Sequence, residues 1–366
     1  MPLHTYPSIN QFRHAVNAVN HRATYTGQST GGKPVYDTSL PKPVLTFHGT
    51  TKLHGTNAGL RLELAPNGDS NLYAQCRTRD ITPEDDNSGF AAWALDTPRS
   101  QLLREYLLQP AMDWVSTQSM QTPTQITLFG EWVGPTVNGK TGIGLLPNRL
   151  VLFGLGVKFS VDEESPSSWF DLHQFISFLD DLGFYAILQA ASVFAITTFK
   201  EWELAIDFNN PEGALDTLER LTLEVEAACP VAEALGGSGI GEGIVWTHVS
   251  KEFGHLSFKT KGMKHKGTRT KRMVDVAPEV MASISAFADA VLTDSRLEQG
   301  LDYLEEQGLA ASLDNIGEYL KWVGQDVTKE ESDTLAASGL DRRVANKAVN
   351  SGAKAWFLER VDQFAV

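Results

Sequence analysis

The sequence predicts an α+β fold in which a strand-rich mixed part is followed by an all-helical tail. Three observations carry that reading. Up to residue 261, β-branched runs with period-two alternation recur between turn signals. Beyond residue 275, apolar residues fall at helical spacing with few β-branched runs. A chain of 366 residues is also long for one ordinary domain, so two are expected, residues 1–275 and 276–366.

Element by element, residues 44–51 and 57–64 read as strands on either side of a tight His-Gly-Thr turn. Pro66, Asn67, Gly68 and Asp69 then turn the chain into a strand over 71–78. Residues 90–115 have helical spacing, and 125–133 and 150–159 return to strand character. Residues 166–181 and 212–228 read as helices, and 242–249 with 254–261 form a last strand pair. In the tail, 276–292, 297–307, 313–323, 328–337 and 342–361 are helical by apolar spacing, with Thr328 and Glu331 reading as a capping box. No internal repeat or low-complexity segment appears.

Composition narrows the function classes. No apolar run approaches the roughly 20 residues of a membrane helix, and residues 1–10 carry no basic stretch followed by an apolar one. Two cysteines, Cys76 and Cys229, make neither a disulfide framework nor a metal spacing. A cytoplasmic monomer with reduced thiols and no membrane contact is the expectation. A net charge of −14 argues against broad affinity for phosphates. The charge is uneven, however: residues 162–233 are mostly acidic, whereas 251–272 hold Lys251, Lys259, Lys261, Lys264, Lys266, Arg269, Lys271 and Arg272 against Glu252 alone. Such a patch suits a phosphate-bearing partner held at one place.

The chemistry begins at Lys52, in Lys-Leu-His-Gly-Thr-Asn. A lysine at a strand end, followed by a glycine turn into another strand, is held at the mouth of a pocket. It attacks phosphorus only as the neutral amine, so its ordinary pKa near 10.4 must fall. Lys259 and Lys261 alternate with Thr260 and share one strand face, where they could lower it. Alone, the hexamer fits a surface lysine beside a β-turn better. Glu131, in Phe-Gly-Glu-Trp, and Glu242, before Gly-Ile-Val-Trp, add carboxylates to otherwise apolar strands, where they need a metal, a cation or a sugar hydroxyl. With the lysines they make a plausible nucleotide and magnesium site.

In order, KLHGTN, CRT, FGEW, LVLFGL, EGIVW and FKTK resemble motifs I, Ia, III, IIIa, IV and V of the covalent nucleotidyltransferases: DNA ligases, RNA ligases and capping enzymes. The KxHGTN form resembles the phage RNA ligase 2 group (double-stranded RNA ligases), and the resemblance extends from about residue 40 through the helical tail. It implies an N-terminal adenylyltransferase (ATP-grasp-like nucleotidyltransferase) domain with antiparallel sheets and a small all-helical C-terminal domain. It implies ATP and Mg2+ (or Mn2+) as cofactors and RNA as partner, a nicked duplex with 3′-OH and 5′-phosphate ends sealed through lysyl-AMP, as in RNA repair. Carried over by position, Lys52 becomes the adenylated nucleophile. His54 assists the phosphate chemistry, and Asn57 lies near the AMP phosphate. Arg77 contacts ribose or phosphate, Glu131 the ribose hydroxyls or a metal, and Phe153 stacks on adenine. Glu242 positions the metal, and Lys259 and Lys261 bind the phosphates, Lys261 stabilising the transferred group. A capping-type guanylyltransferase and a non-catalytic RNA-end-binding homologue are the alternatives; the helical tail and the catalytic lysines disfavour them.

The sequence departs from the family twice. Gly154 follows Phe153 where the family has an aspartate, and Thr51 stands where the phage enzyme has a glutamate facing the adenine amino group. Other features are decoys. Residues 237–243 are glycine-rich but miss the dinucleotide-loop spacing. His248, His255 and His265 lack a metal-ligand spacing and read as facing solvent or phosphate. Trp169-Phe170 and Trp356-Phe357 read as helical core residues.

Overall fold

In the computed structural model, which describes residues 3–65, 68–137, 139–160, 162, 166–265 and 274–364, two sheets precede a group of helices. The chain opens with β1 (Asn10–Gln11), α1 (Phe12–Thr24) and a hairpin of β2 (Tyr25–Gln28) and β3 (Pro34–Tyr36). β4 (Val44–Lys52) and β5 (Thr56–Leu64) flank the turn at residues 53–55, and β6 (Ser70–Gln75) and β7 (Asp80–Ile81) follow. Helices α2 (Phe90–Leu95), α3 (Thr97–Leu103) and α4 (Gln109–Ser119) lead to β8 (Gln125–Val133) and β9 (Arg149–Lys158). Next come β10 (Ser168–Phe170), α5 (Leu172–Asp181), α6 (Phe184–Ala190), β11 (Val193–Ala195), β12 (Glu201–Asp207), α7 (Leu215–Ala227) and α8 (Pro230–Ala234). The hairpin β13 (Gly243–Ser250) and β14 (Gly254–Lys261) completes the sheets. Helices α9 (Ile284–Val291), α10 (Asp294–Glu306), α11 (Ile316–Ala337) and α12 (Arg342–Phe364) form the tail.

One sheet runs β1-β14-β13-β4-β12; the other runs β10-β9-β8-β5-β6-β7, with β11 also on β9. Pairings are antiparallel except β1 with β14 and β11 with β9, which are parallel. Because β4 belongs to the first sheet and β5 to the second, the turn at 53–55 carries the chain from one sheet to the other. That crossing places Lys52 between them.

Period-two alternation decides which faces are dry. Leu45 and Phe47 of β4 join Trp246 and Phe258 under α1 and α7, against Phe12, Val16 and Leu218. Ile126 and Leu128 of β8 pack with Leu60 and Leu62 of β5 under Leu107, Val115 and Phe175. Each such side chain contributes about 1.5–3 kcal/mol by leaving water. The opposite face of β8 carries Thr127, Phe129 and Glu131. A smaller cluster, including Leu53, Val133, Val151 and Val231 with Phe153 at its margin, lies beneath the turn. The tail helices build their own core around Phe287, Tyr319, Val323, Val327 and Phe357.

The helices of the tail differ in places from their sequence pattern. Thr328 opens no helix: α11 is continuous across 316–337. Gly324 costs about 1 kcal/mol inside a helix, but Val323 and Val327 are anchored in the tail core on either side of it. Residues 276–283 are not helical. Pro278 breaks the run, and Ser283 caps α9 by accepting from the Ala286 amide. Trp169 and Phe170 lie on β10, not a helix, and Asp171 caps α5 behind them. α1 and β12 form where the sequence pattern above assigns no element. The Pro66-Asn67 part of the first turn, and Lys266, Arg269, Lys271 and Arg272 of the basic segment, lie outside the described residues. Among the described residues no helix is long and apolar enough to cross a membrane.

Candidate active site

The turn that joins the sheets is built by close approach. A Cβ on Gly55 would collide with the carbonyl oxygen of Trp132, so only glycine lets the turn lie against β8. The Gly55 amide donates to Glu131 Oε1 at 3.0 Å, which locks the turn to the second sheet. On the first sheet, Gly243 is in register with both Lys52 and Lys261. Glu242, immediately before it, is therefore brought between the two lysines.

The result is a charge cluster. Lys52 Nζ donates to Glu242 Oε2 at 2.6 Å, and Lys261 Nζ lies 2.9 Å from Glu242 Oε1. His54 Nδ1 is 3.6 Å from Glu242 Oε2, and the His54 ring centroid is 5.3 Å from that of His265. Burial pushes the Lys52 ammonium below its ordinary pKa; Glu242 works against that shift and Lys261 adds to it. Burial alone would raise Glu242, but Lys261 and Lys52 outweigh it and hold the carboxyl well below its usual range. Burial would likewise lower Lys261, but Glu242 outweighs it and raises the ammonium. Withdrawal from water pushes Glu131 up to about 7, against the pull of Lys52. The site thus holds one depressed lysine, one firmly charged lysine and two carboxyl groups of opposite tendency.

Not every residue singled out from sequence joins this cluster. Lys259 and Lys261 do share a strand face, but Lys259 pairs with Glu330 of α11 at 3.1 Å. Arg77 is exposed and donates to Ser8 Oγ at 3.4 Å. Asn57 is half-buried and in register with Glu131 across β5 and β8. Phe153 sits at the margin of the cluster that contains Leu53. Thr51 is buried, and its hydroxyl has no hydrogen-bond partner among the described residues. Among those residues no three histidine, cysteine or carboxylate side chains could hold a metal ion by themselves. Glu131 Oε1 is taken by the Gly55 amide and both Glu242 oxygens by lysines, so a metal ion here would have to draw most of its ligands from a bound phosphate chain.

Three neighbours of the site were not found from sequence. His265 is buried rather than solvent-facing, and burial takes its pKa to about 4. Glu306 of α10 accepts from Thr56 Oγ1 at 3.1 Å, and Asp302 lies one turn earlier on the same helix. Burial raises both carboxyl groups. Their partners are some 250 residues away in the chain, so no local pattern announces them.

The model of the family described as RNA ligase matches residues 45–261, from β4 to the last residue of β14. That span contains every site residue from Lys52 to Lys261. No curated protein matches the sequence. Among solved structures, a Naegleria gruberi RNA ligase mutant with ATP and Mn is 12% identical, with 72% of this chain and 58% of that chain covered and a TM-score of 0.40. The same ligase with PPi is 13% identical, with 72% and 57% covered and a TM-score of 0.39. The chain thus spans a little over half the length of these solved relatives. The family match covers well over half of the sequence, and the chain belongs to the RNA ligase family.

Proposed function

We propose that this chain is an ATP-dependent RNA ligase of the phage RNA ligase 2-like kind, which seals 3′-hydroxyl and 5′-phosphate ends through lysyl-AMP on Lys52. One observation carries the reading: Lys52, His54, Glu131, Glu242 and Lys261 meet at the turn that carries the chain from β4 of one sheet to β5 of the other. In the first step the Lys52 nitrogen attacks the α-phosphorus of ATP. An N–P bond forms, the P–O bond to pyrophosphate breaks, and a proton leaves the nitrogen. Burial and the neighbouring Lys261 favour the neutral amine this requires. A 5′-phosphate oxygen of the RNA then attacks the AMP phosphorus and releases the lysine. Finally the 3′-hydroxyl attacks the activated 5′-phosphorus and AMP departs.

Lys261, which stays charged, neutralises the negative charge that builds on the transferred group. Phe153 stacks on the adenine. Asn57 and Arg77 serve the phosphate and the incoming end, and Lys259 contacts the outer phosphates when it leaves Glu330. Glu131 and Glu242 would hold the magnesium or manganese, which supplies charge neutralisation when bound. Residues 1–275 carry the adenylation chemistry and residues 276–366 engage a nicked duplex. The intact mass of the purified chain with ATP and magnesium tests the proposal. A gain equal to AMP, mapped to Lys52 and absent from Lys52→Ala, supports it; AMP on another lysine, or none at all, overturns it.

A further inference from the structure

Between residues 3 and 9 the chain crosses the site-bearing face of the second sheet. His4 Nδ1 is 3.0 Å from Thr127 Oγ1, and Gln75 Nε2 donates to the His4 carbonyl at 2.6 Å. Beyond it, Ser8 meets Arg77, and β1 joins the other sheet. Tyr6 lies between these anchors. Its ring makes edge contacts with Phe129, Trp169 and Phe153 at centroid distances of 5.3, 5.1 and 4.9 Å. On β8, Phe129 and Glu131 share a face two residues apart, about 7 Å along the strand. Tyr6 therefore stands on the same surface as the Lys52 cluster and one residue pair away from it.

The floor beneath Tyr6 is Gly154. A Cβ there would lie 2.6 Å from Tyr6 Cε2, closer than any real contact. The side chain missing at 154 and the ring at 6 thus occupy one volume, so the glycine and the tyrosine imply each other. Phe153 is also the extra residue of a bulge, since β8 runs from Phe129 opposite Gly154 to Gly130 opposite Leu152. A bulged residue lacks a regular ladder partner to aim its side chain. Tyr6 sets its ring against that of Phe153, on which the apolar cluster around Leu53 and Val151 also packs.

We propose that Tyr6 is a positioning residue of the nucleotide pocket, which holds the Phe153 ring in the orientation that stacks on the nucleobase. This rests on the function proposed above. Lysyl-AMP formation on the full-length chain, measured in single turnovers across ATP concentration, tests it. Tyr6→Ala should raise the ATP concentration for half-maximal rate about tenfold, the size of one good aromatic contact, with the saturating rate kept within about twofold. Tyr6→Phe, which keeps the ring, should restore the wild-type value. Gly154→Ala, which displaces the ring without touching the anchors, should raise it as Tyr6→Ala does. The double variant should be no worse than either single one, because both remove the same contact. An unchanged half-saturation in both single variants, or effects that add in the double variant, overturns the inference. A fall in the saturating rate alone also overturns it. If the wild-type chain takes up no AMP, the function proposed above fails instead, and that outcome is read before any variant is made.

Discussion

Glu242 holds Lys52 at 2.6 Å by one carboxylate oxygen and Lys261 at 2.9 Å by the other. One buried anion thus serves two half-buried cations, and among the described residues neither lysine has another carboxylate as close. Glu242→Gln keeps the shape and removes the charge, leaving two half-buried ammonium groups without their shared anion. Breaking a buried pair in this way costs roughly 3–5 kcal/mol. Thermal melts should therefore show a large loss of stability, and single-turnover adenylation should fall by more than about a hundredfold. A variant that melts and adenylates like the wild type would show that the cluster is incidental.

The two lysines of β14 should separate sharply. Lys261→Ala removes the cation beside Lys52 and should slow lysyl-AMP formation by about a hundredfold or more at saturating ATP. Lys259→Ala breaks a contact with Glu330 instead. It should act mainly on stability, with an adenylation rate within about tenfold of wild type. Equal rate losses in the two variants would show that Lys259 supports the transferring phosphates as much as Lys261 does, and that its pairing with Glu330 does not last through adenylation.

Sequence patterning named most of the residues that lie together at this candidate site and little of their setting. Lys52, Glu131, Glu242 and Lys261 were legible because each interrupts an apolar strand or ends one, and a strand's period fixes which residues share a face. The same argument placed Lys259 beside Lys261 but was blind to Glu330, which comes from a helix 71 residues further on. α1 had a readable stripe in Phe12, Ala15, Val16 and Val19, and β12 a readable alternation in Trp202, Leu204 and Ile206. The continuity of α11 was not legible, because a glycine at 324 and a threonine at 328 mimic a stop and a start that tertiary packing overrides.

Acid should loosen the contact between α11 and the sheets. Burial alone would raise the Glu330 carboxyl, but Lys259 outweighs it and holds the group down to about 2 from an ordinary value of 4.5. The native state therefore binds this proton less tightly than the unfolded chain. The stabilisation, about 3 kcal/mol, is fully present above pH 4.5 and is lost as pH falls toward 2. Melting temperatures of the wild type should drop more steeply below pH 4.5 than those of Glu330→Gln. Parallel curves would show that Glu330 does not contribute.

The carboxyl groups of α10 should behave in the opposite sense. Burial raises Asp302 and Glu306, so the folded chain holds those protons more tightly than the unfolded one and loses stability as pH rises past their ordinary values of 3.8 and 4.5. Replacing both by their amides removes that penalty and leaves an acceptor for Thr56. At neutral pH, Asp302→Asn/Glu306→Gln should melt above the wild type, and the gain should fade as pH drops below those values. A neutral-pH melting temperature below that of the wild type would contradict the burial argument.

The parallel pairing of Asn10 and Gln11 with Phe258 and Lys259 closes the first sheet with the chain's first strand, and Arg13 reaches Asp333, 320 residues ahead. A nascent chain must therefore keep the apolar stripe of α1 uncovered until β14 has left the ribosome. At about 5–20 residues per second, the roughly 250 residues in between take on the order of ten to fifty seconds. Pairings of such long range also make folding slow once synthesis is complete. The segment that ties β14 to α11 is thus exposed for much of the time it takes to make them, and a chaperone that shields Phe12, Val16 and Val19 would act in that interval.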